Sequence, residues 1–325
     1  MYQWCRCYGC SVLHWPAAYR YPCVALQNRN TATPAPEATY AKLVAVPAIW
    51  GGTFIAGRIL ALAVPAAVGA LLRYVVAVVA LLVAARWLEG GLPRLTRRQL
   101  LGTALLGLTG ILAYNLFFLG ALARLPASRT SLIIALNPIV TISAASLLLG
   151  ERMSPRRWVG VAVALAGVWI VVSRGDVLGS VFQAVGTGEL LMFGGVCSWA
   201  AYTLIGRRVL EGLTPLAATT YASLWGAAML AAASGPDLLA LERTDLTLPV
   251  VLSVLYLGVL GTSIAFVWYY QAVQRLGAAR TVIFNNLVPV FGATFGVLLL
   301  GEPLLPSMLL GGAIAVAGVM LVTKS

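Results

Sequence analysis

Long apolar runs, cut at intervals by short polar stretches, recur from residue 43 to the end of the chain. They are continuous rather than alternating, so they predict helices. The strands of an outer-membrane barrel would alternate apolar and polar positions with period two. Ten helices are expected, at about 43–63, 66–87, 99–123, 127–149, 156–173, 187–209, 215–234, 248–273, 279–299 and 307–323. Their lengths suit a helix crossing a bilayer, which needs about 17–25 residues. Pro65, Pro126, Pro155, Pro215 and Pro306 stand near helix starts, where a missing N–H is harmless. Gly150 and Gly301 stand where a C-terminal cap belongs. The pattern predicts an all-α, polytopic membrane protein.

The pattern is also written twice. The segment LNPIVTISAASLLLGE at 136–151 aligns with LVPVFGATFGVLLLGE at 287–302, placing Pro138 over Pro289 and Glu151 over Glu302. At the same offset Gly160 and Gly167 fall on Gly311 and Gly318, Arg124 on Arg275, and Arg129-Thr130 on Arg280-Thr281. Near the front, Trp50 falls on Trp199 and Arg58 on Arg207. The chain reads as a five-helix unit at 41–175 and a second at 186–325, behind a tail at 1–40. Five is odd, so the second copy enters the membrane from the opposite side. Inverted repeats of this kind suit alternating access about a central site.

Composition supports the membrane reading: 60% of the 325 residues are hydrophobic and 10% charged. A soluble chain carries roughly 25% charged residues. The net charge of +12 is distributed to orient the protein rather than to bind nucleic acid. With the N-terminus in the cytoplasm, Arg58, Arg73, Arg124, Arg129, Arg174 and Arg243 fall in the outer half. The remaining 16 of the 22 Lys and Arg fall inside. This is the positive-inside bias, and it puts both termini in the cytoplasm.

Ten spans in two five-helix copies, with "GE" closing the fourth and ninth, resemble the EamA branch of the drug/metabolite transporter superfamily. The stretch LLRY at 71–74 is similar to that family's Leu-Arg-aromatic stretch in span two. The resemblance implies a carrier of the bacterial inner membrane that exports amino acids or other small metabolites. Small amphipathic drugs are the alternative cargo. It also implies a cavity lined by spans three, four, eight and nine. The tail departs from the family pattern.

That tail holds Cys5, Cys7, Cys10, Cys23 and the sole histidine, His14. It lacks a continuous apolar core, so it is no signal peptide. Its spacing matches no standard zinc finger, and it is read as a dispensable product of an early start codon. Cys197, inside span six, is read as a small packing residue.

An enzyme would need acids, bases or metal ligands gathered at one place. The ten acidic residues all fall outside the expected spans or at their ends. No cofactor or metal is implied, and no mid-membrane carboxylate is available to drive proton coupling. Glu151 and Glu302 are expected to cap helices or meet nearby arginines. A channel or a lipid scramblase fits the same composition.

Polar and aromatic residues inside apolar spans are the candidate substrate contacts: Tyr114 and Asn115 in span three, Asn137 in span four, Trp268 and Tyr269 in span eight, and Asn285 and Asn286 in span nine. Tyr270 and Gln271 come directly after Tyr269. Trp50 and Trp199 are candidates for the cavity wall. Pro138 and Pro289 each delete a backbone hydrogen bond and kink their helices, as hinges or as plain bends. Arg73 lies seven residues into span two, about 10 Å deep. Its repeat mate is Ser223, so the scaffold does not demand the charge. Two readings stand for it. It snorkels or packs, or it meets a substrate carboxylate, for which its planar fork is well shaped.

Overall fold

A computed structural model describes residues 37–149, 154–176, 185–209, 212–269 and 284–324, all helix and connecting loop with no strand among them. The tail with its cysteines and His14 lies outside the described residues, as do Gly150, Glu151, Tyr270, Gln271, Arg275 and Arg280-Thr281. The helices are α1 (Glu37–Ala63), α2 (Ala66–Leu88), α3 (Arg97–Leu122), α4 (Ala127–Leu148) and α5 (Pro155–Val172). They continue as α6 (Thr187–Val209), α7 (Pro215–Leu239), α8 (Leu248–Tyr269), α9 (Asn285–Leu300) and α10 (Pro306–Lys324). Among the described residues, eight helices are long and apolar enough to cross a membrane, and α9 and α10 contribute shorter apolar stretches. The molecule is a polytopic membrane protein.

The expected punctuation is in place. Pro155, Pro215 and Pro306 open their helices, while Pro65 and Pro126 occupy N-cap positions. Gly301 closes α9 with a left-handed φ of 64°. The helix of α7 breaks at Gly235.

Lipid tails are as apolar as leucine, so burial from water does not bring helices together inside a bilayer. Close packing of small residues does. The α5–α10 pair illustrates this. A Cβ on Gly160 would press on Gly318 O, and one on Gly318 would overlap the Ala164 backbone. A Cβ on Gly167 would overlap Ala315 N, and one on Gly311 would crowd Gly167 O. The two backbones therefore touch directly. The Gly292 and Gly296 pair of α9 serves the same purpose against Ser131 and Ser128 of α4.

Irregular segments interrupt α3, α4 and α8, and another opens the described part of α9. In α3, Gly107–Ala113 is π-helical, and in α8, Tyr256–Ile264 is. In α4, a 3₁₀ turn at Ile134–Leu136 precedes Pro138, and in α9 one at Asn285–Leu287 precedes Pro289. The proline ring forbids the regular i→i−4 bond, and the chain takes up the tighter turn in its place.

Candidate functional site

The irregular segments of α4, α8 and α9 contribute to the wall of a cavity enclosing about 1000 Å³ of empty space, its open mouth included. Its wall is built from most of the bundle. Trp50, Thr53 and Phe54 come from α1, Arg73 and Tyr74 from α2, and Tyr114 and Phe118 from α3. Asn137 and Pro138 come from α4, Trp199 from α6, and Gly261 and Phe266 from α8. Asn285, Asn286 and Pro289 come from α9, and Val316 and Val319 from α10.

Arg73 is the cation of this wall and is 7% exposed. Its Nη1 donates to Asn115 Oδ1 at 2.9 Å and its Nη2 to Thr262 Oγ1 at 3.2 Å. The guanidinium carbon stands 5.3 Å from the centre of the Tyr74 ring. Both supports are themselves held by backbone carbonyls of their own helices. Asn115 comes just after the π segment of α3 and donates through Nδ2 to Ile111 O at 2.7 Å. Thr262 sits inside the π segment of α8 and donates to Leu257 O at 2.9 Å, five residues back. Gly258, also in that segment, lets α8 approach the Arg73 carbonyl. The arginine thus joins the front of the chain to the back.

The rings of the wall gather in two groups. Tyr114 stacks on Phe118 at 5.6 Å and tilts against Trp199 at 5.2 Å. Phe54 meets Phe118 edge-on at 5.3 Å, and Trp50 meets Phe266 edge-on at 5.7 Å. Trp50 is held from behind by its Nε1 donating to Gly261 O at 3.0 Å.

Several polar atoms of this wall have no hydrogen-bond partner among the described residues although they are buried. They are Arg73 Nε, Asn137 Oδ1, Asn285 Oδ1 and Asn286 Nδ2. Desolvating such a group without a partner is costly, so native proteins rarely leave one unsatisfied without reason.

The candidates read from the sequence divide by place. Arg73, Tyr114, Asn137, Asn285, Asn286, Trp50, Trp199, Pro138 and Pro289 meet at this cavity. Asn115 is fully buried behind it, holding Arg73. Tyr269 stands beside Trp50 at 5.5 Å and within hydrogen-bonding reach of Asn285. Trp268 lies elsewhere, with Lys42 Nζ 5.6 Å from its ring centre. Cys197, expected in the packing, is exposed on α6. Thr262, Thr53, Phe54, Phe118 and Phe266 carried no signal in the sequence beyond their type, while Tyr74 stood in the LLRY stretch.

The acidic residues serve other ends. Glu302 accepts from Ala127 N–H at 2.6 Å and Ser128 N–H at 2.8 Å, capping α4 as a carboxylate at its end was expected to cap a helix. Glu189, at the start of α6, pairs with Arg129 at 2.8 Å, and Arg129 also donates to Val172 O.

A bundle of membrane-length helices around a cavity lined by one arginine and several aromatic rings defines a polytopic membrane protein. The chain belongs to the EamA-like transporter family, whose profile matches residues 39–173 and again 186–324. It is 33% identical over 254 residues to a probable terminal-alkyne amino-acid exporter of Streptantibioticus cattleyicolor, covering 78% of this chain and 82% of that one. It is 29% identical over 288 residues to the inner membrane transporter YedA of Escherichia coli K12, covering 87% and 90%. It is 27% identical over 249 residues to the transporter YyaM of Bacillus subtilis, covering 76% and 81%. One solved crystal structure superposes with a TM-score of 0.63 at 20% identity, over 88% of this chain and 98% of that one, which speaks for the fold alone. The protein is a transporter.

Proposed function

We propose that the protein is a secondary carrier that exports amino acids or related small metabolites across the cell inner membrane by alternating access. Ten spans form two inverted five-helix repeats with both termini cytoplasmic, and the central cavity is the transport site. One observation carries this reading: the helix irregularities recur at the repeat offset of 151. The 3₁₀ turn at Ile134–Leu136 recurs at Asn285–Leu287, and the π segment at Gly107–Ala113 falls within the stretch matching Tyr256–Ile264. Breaks at matching places in both halves allow each half to bend as the other does, which is the requirement for exchanging an inward and an outward opening. The α5–α10 crossing agrees, since the contacts Gly160 with Gly318 and Gly167 with Gly311 exchange when the halves are swapped. Two matches to one family profile along the chain also support a duplicated unit.

Amino-acid cargo is favoured by Arg73 in the wall and by the name of the Streptantibioticus relative. The aromatic rings of the wall favour a second reading, export of small amphipathic drugs. A carrier is favoured over an enzyme by the transporter family that the chain belongs to and by the relatives named as transporters.

Purified protein in liposomes tests the reading. A carrier gives saturable flux of a labelled substrate and faster efflux when the same substrate is present on the far side. Flux that stays linear with concentration and ignores the far side indicates a channel or scramblase and ends the carrier reading. Metabolite profiling of cells with and without the protein supplies the substrate panel.

A further inference from the structure

We propose that the end of the molecule where α2 passes into α3 holds an anionic phospholipid, its phosphate on a cluster of arginines and its acyl chains along the two helices. Under the orientation proposed above, the lipid belongs to the cytoplasmic leaflet. None of the residues of this surface lines the cavity.

The inference begins with charge. The stretch from Arg86 to Arg98 carries four arginines and one acid, Glu89. Arg86, Arg94, Arg97 and Arg98 are all exposed. Among the described residues none of them pairs with a carboxylate, and Glu89 accepts instead from the Thr214 hydroxyl at 2.7 Å. A guanidinium matches a phosphate through two parallel N–H bonds. The tail at 1–35 supplies Arg6, Arg20 and Arg29 and no acid, so it does not complement this surface.

The loop that carries the arginines is pinned. Tyr221 of α7 donates to Pro93 O at 2.7 Å, and Gln99 Nε2 donates to Gly212 O at 3.4 Å. Thr96 and Gln99 cap each other, and α3 starts at Arg97. The positive end of its dipole adds to the potential of the arginines.

The helix faces that lead to this cluster are apolar and open. On α2, Val75, Val79 and Val83 stand four residues apart and are more than half exposed, and Trp87 continues their row at 84% exposure. On α3, Leu101, Leu105 and Leu108 are exposed, and Arg97 stands one turn before Leu101 on the same face. Each row therefore ends in a group suited to the headgroup level, an indole on α2 and a guanidinium on α3. Helix α7 packs against both α2 and α3. A soluble anion would use the arginines alone. The apolar rows select a ligand that also carries chains.

Trp87 reports occupancy. The purified protein is placed in phosphatidylcholine nanodiscs that contain a small fraction of lipid brominated near the headgroup, which quenches nearby indoles. The Trp87 signal is the difference between the parent and Trp87→Phe. Brominated phosphatidylglycerol is expected to quench it about threefold more than brominated phosphatidylcholine at the same fraction. Raising salt from about 0.1 to about 1 M removes most of that excess. The salt series uses the parent alone, so the test stands even where a variant fails to fold. Changing Arg94, Arg97 and Arg98 together to Gln brings the two lipids to parity. Arg97→Gln alone lowers the excess, whereas Arg156→Gln, which deletes the same charge at the exposed start of α5, leaves it intact. Glycerol phosphate in millimolar excess does not displace the lipid.

Equal quenching by both lipids in the parent overturns the proposal. So does an excess that persists in high salt or in the triple variant. Equal losses from Arg97→Gln and Arg156→Gln reduce the effect to the general attraction of a basic face, and displacement by glycerol phosphate replaces the lipid by a soluble phosphate. Either result overturns the lipid site. The carrier reading stands or falls on flux alone and is untouched by these outcomes.

Discussion

Replacing Glu189 by Ala isolates a buried charge. Arg129 and Glu189 are 6% and 7% exposed and stand 2.8 Å apart. Removing the carboxylate leaves the guanidinium desolvated, with the Val172 carbonyl oxygen still accepting from it. Breaking one side of a buried pair costs about 3–5 kcal/mol. At about 2–4 °C of melting temperature per kcal/mol, the loss in detergent micelles is about 6–20 °C. The companion variant Arg129→Met with Glu189→Leu removes both charges and fills the space with apolar atoms. Such replacements are often neutral or stabilising, so the double variant is expected to melt within a few degrees of the parent. The two single changes are therefore strongly non-additive. Thermal unfolding measured by intrinsic fluorescence compares the parent, Glu189→Ala, the two single changes Arg129→Met and Glu189→Leu, and the double variant. A Glu189→Ala shift below about 3 °C, about 1 kcal/mol or less, would refute the buried-pair account. A double variant falling by the sum of the singles would refute it equally.

Three further outcomes rest on the packing and the polar contacts. Thr262→Val removes one of the two hydrogen bonds on Arg73 and leaves the Leu257 carbonyl without its side-chain donor. A loss of about 1–3 kcal/mol is expected, read as reduced liposome flux at unchanged membrane level. Gly318→Leu drives side-chain atoms into the Ala164 backbone and is expected to lose monodispersity on size exclusion, whereas Gly206→Ala meets only Leu106 at 3.8 Å and is tolerated. Glu302→Gln keeps one acceptor oxygen for two amides and should cost about 0.5–2 kcal/mol in thermal unfolding, while flux at saturating substrate persists. Flux abolished by that single change would give the carboxylate a direct part in transport.

Helix positions were legible because membrane insertion demands long apolar runs, and prolines and glycines mark their ends. The offset of 151 located Pro138 and Pro289, and the tight turns sit just before both. The cavity was legible where a polar or indole group in a span needs a reason, as with Arg73, Asn137, Asn286 and Trp199. It was illegible at Phe54, Phe118 and Phe266, because a phenylalanine facing lipid and one facing a cavity look alike in sequence. Facing is the other hidden quantity. Successive helical residues point about 100° apart, so Trp268 turns to Lys42 while Tyr269 turns to Trp50. A π turn adds a residue and rotates everything after it, which is how Tyr114 comes to line the cavity while Asn115 supports it from behind.

The capping of α4 bears on how the chain is made. Pro126 offers that helix no side-chain cap, and the acceptor for Ala127 and Ser128 arrives from Glu302, about 175 residues later. Arg129, one residue further on, waits for Glu189. The front of the protein therefore leaves the ribosome with two amide groups that lack this acceptor and a guanidinium that lacks its carboxylate partner, with the Val172 carbonyl accepting from it. The back of the chain supplies the cap that the front lacks, so the nascent front depends on it to finish α4, and a separately produced front should recover full order only when the back is added.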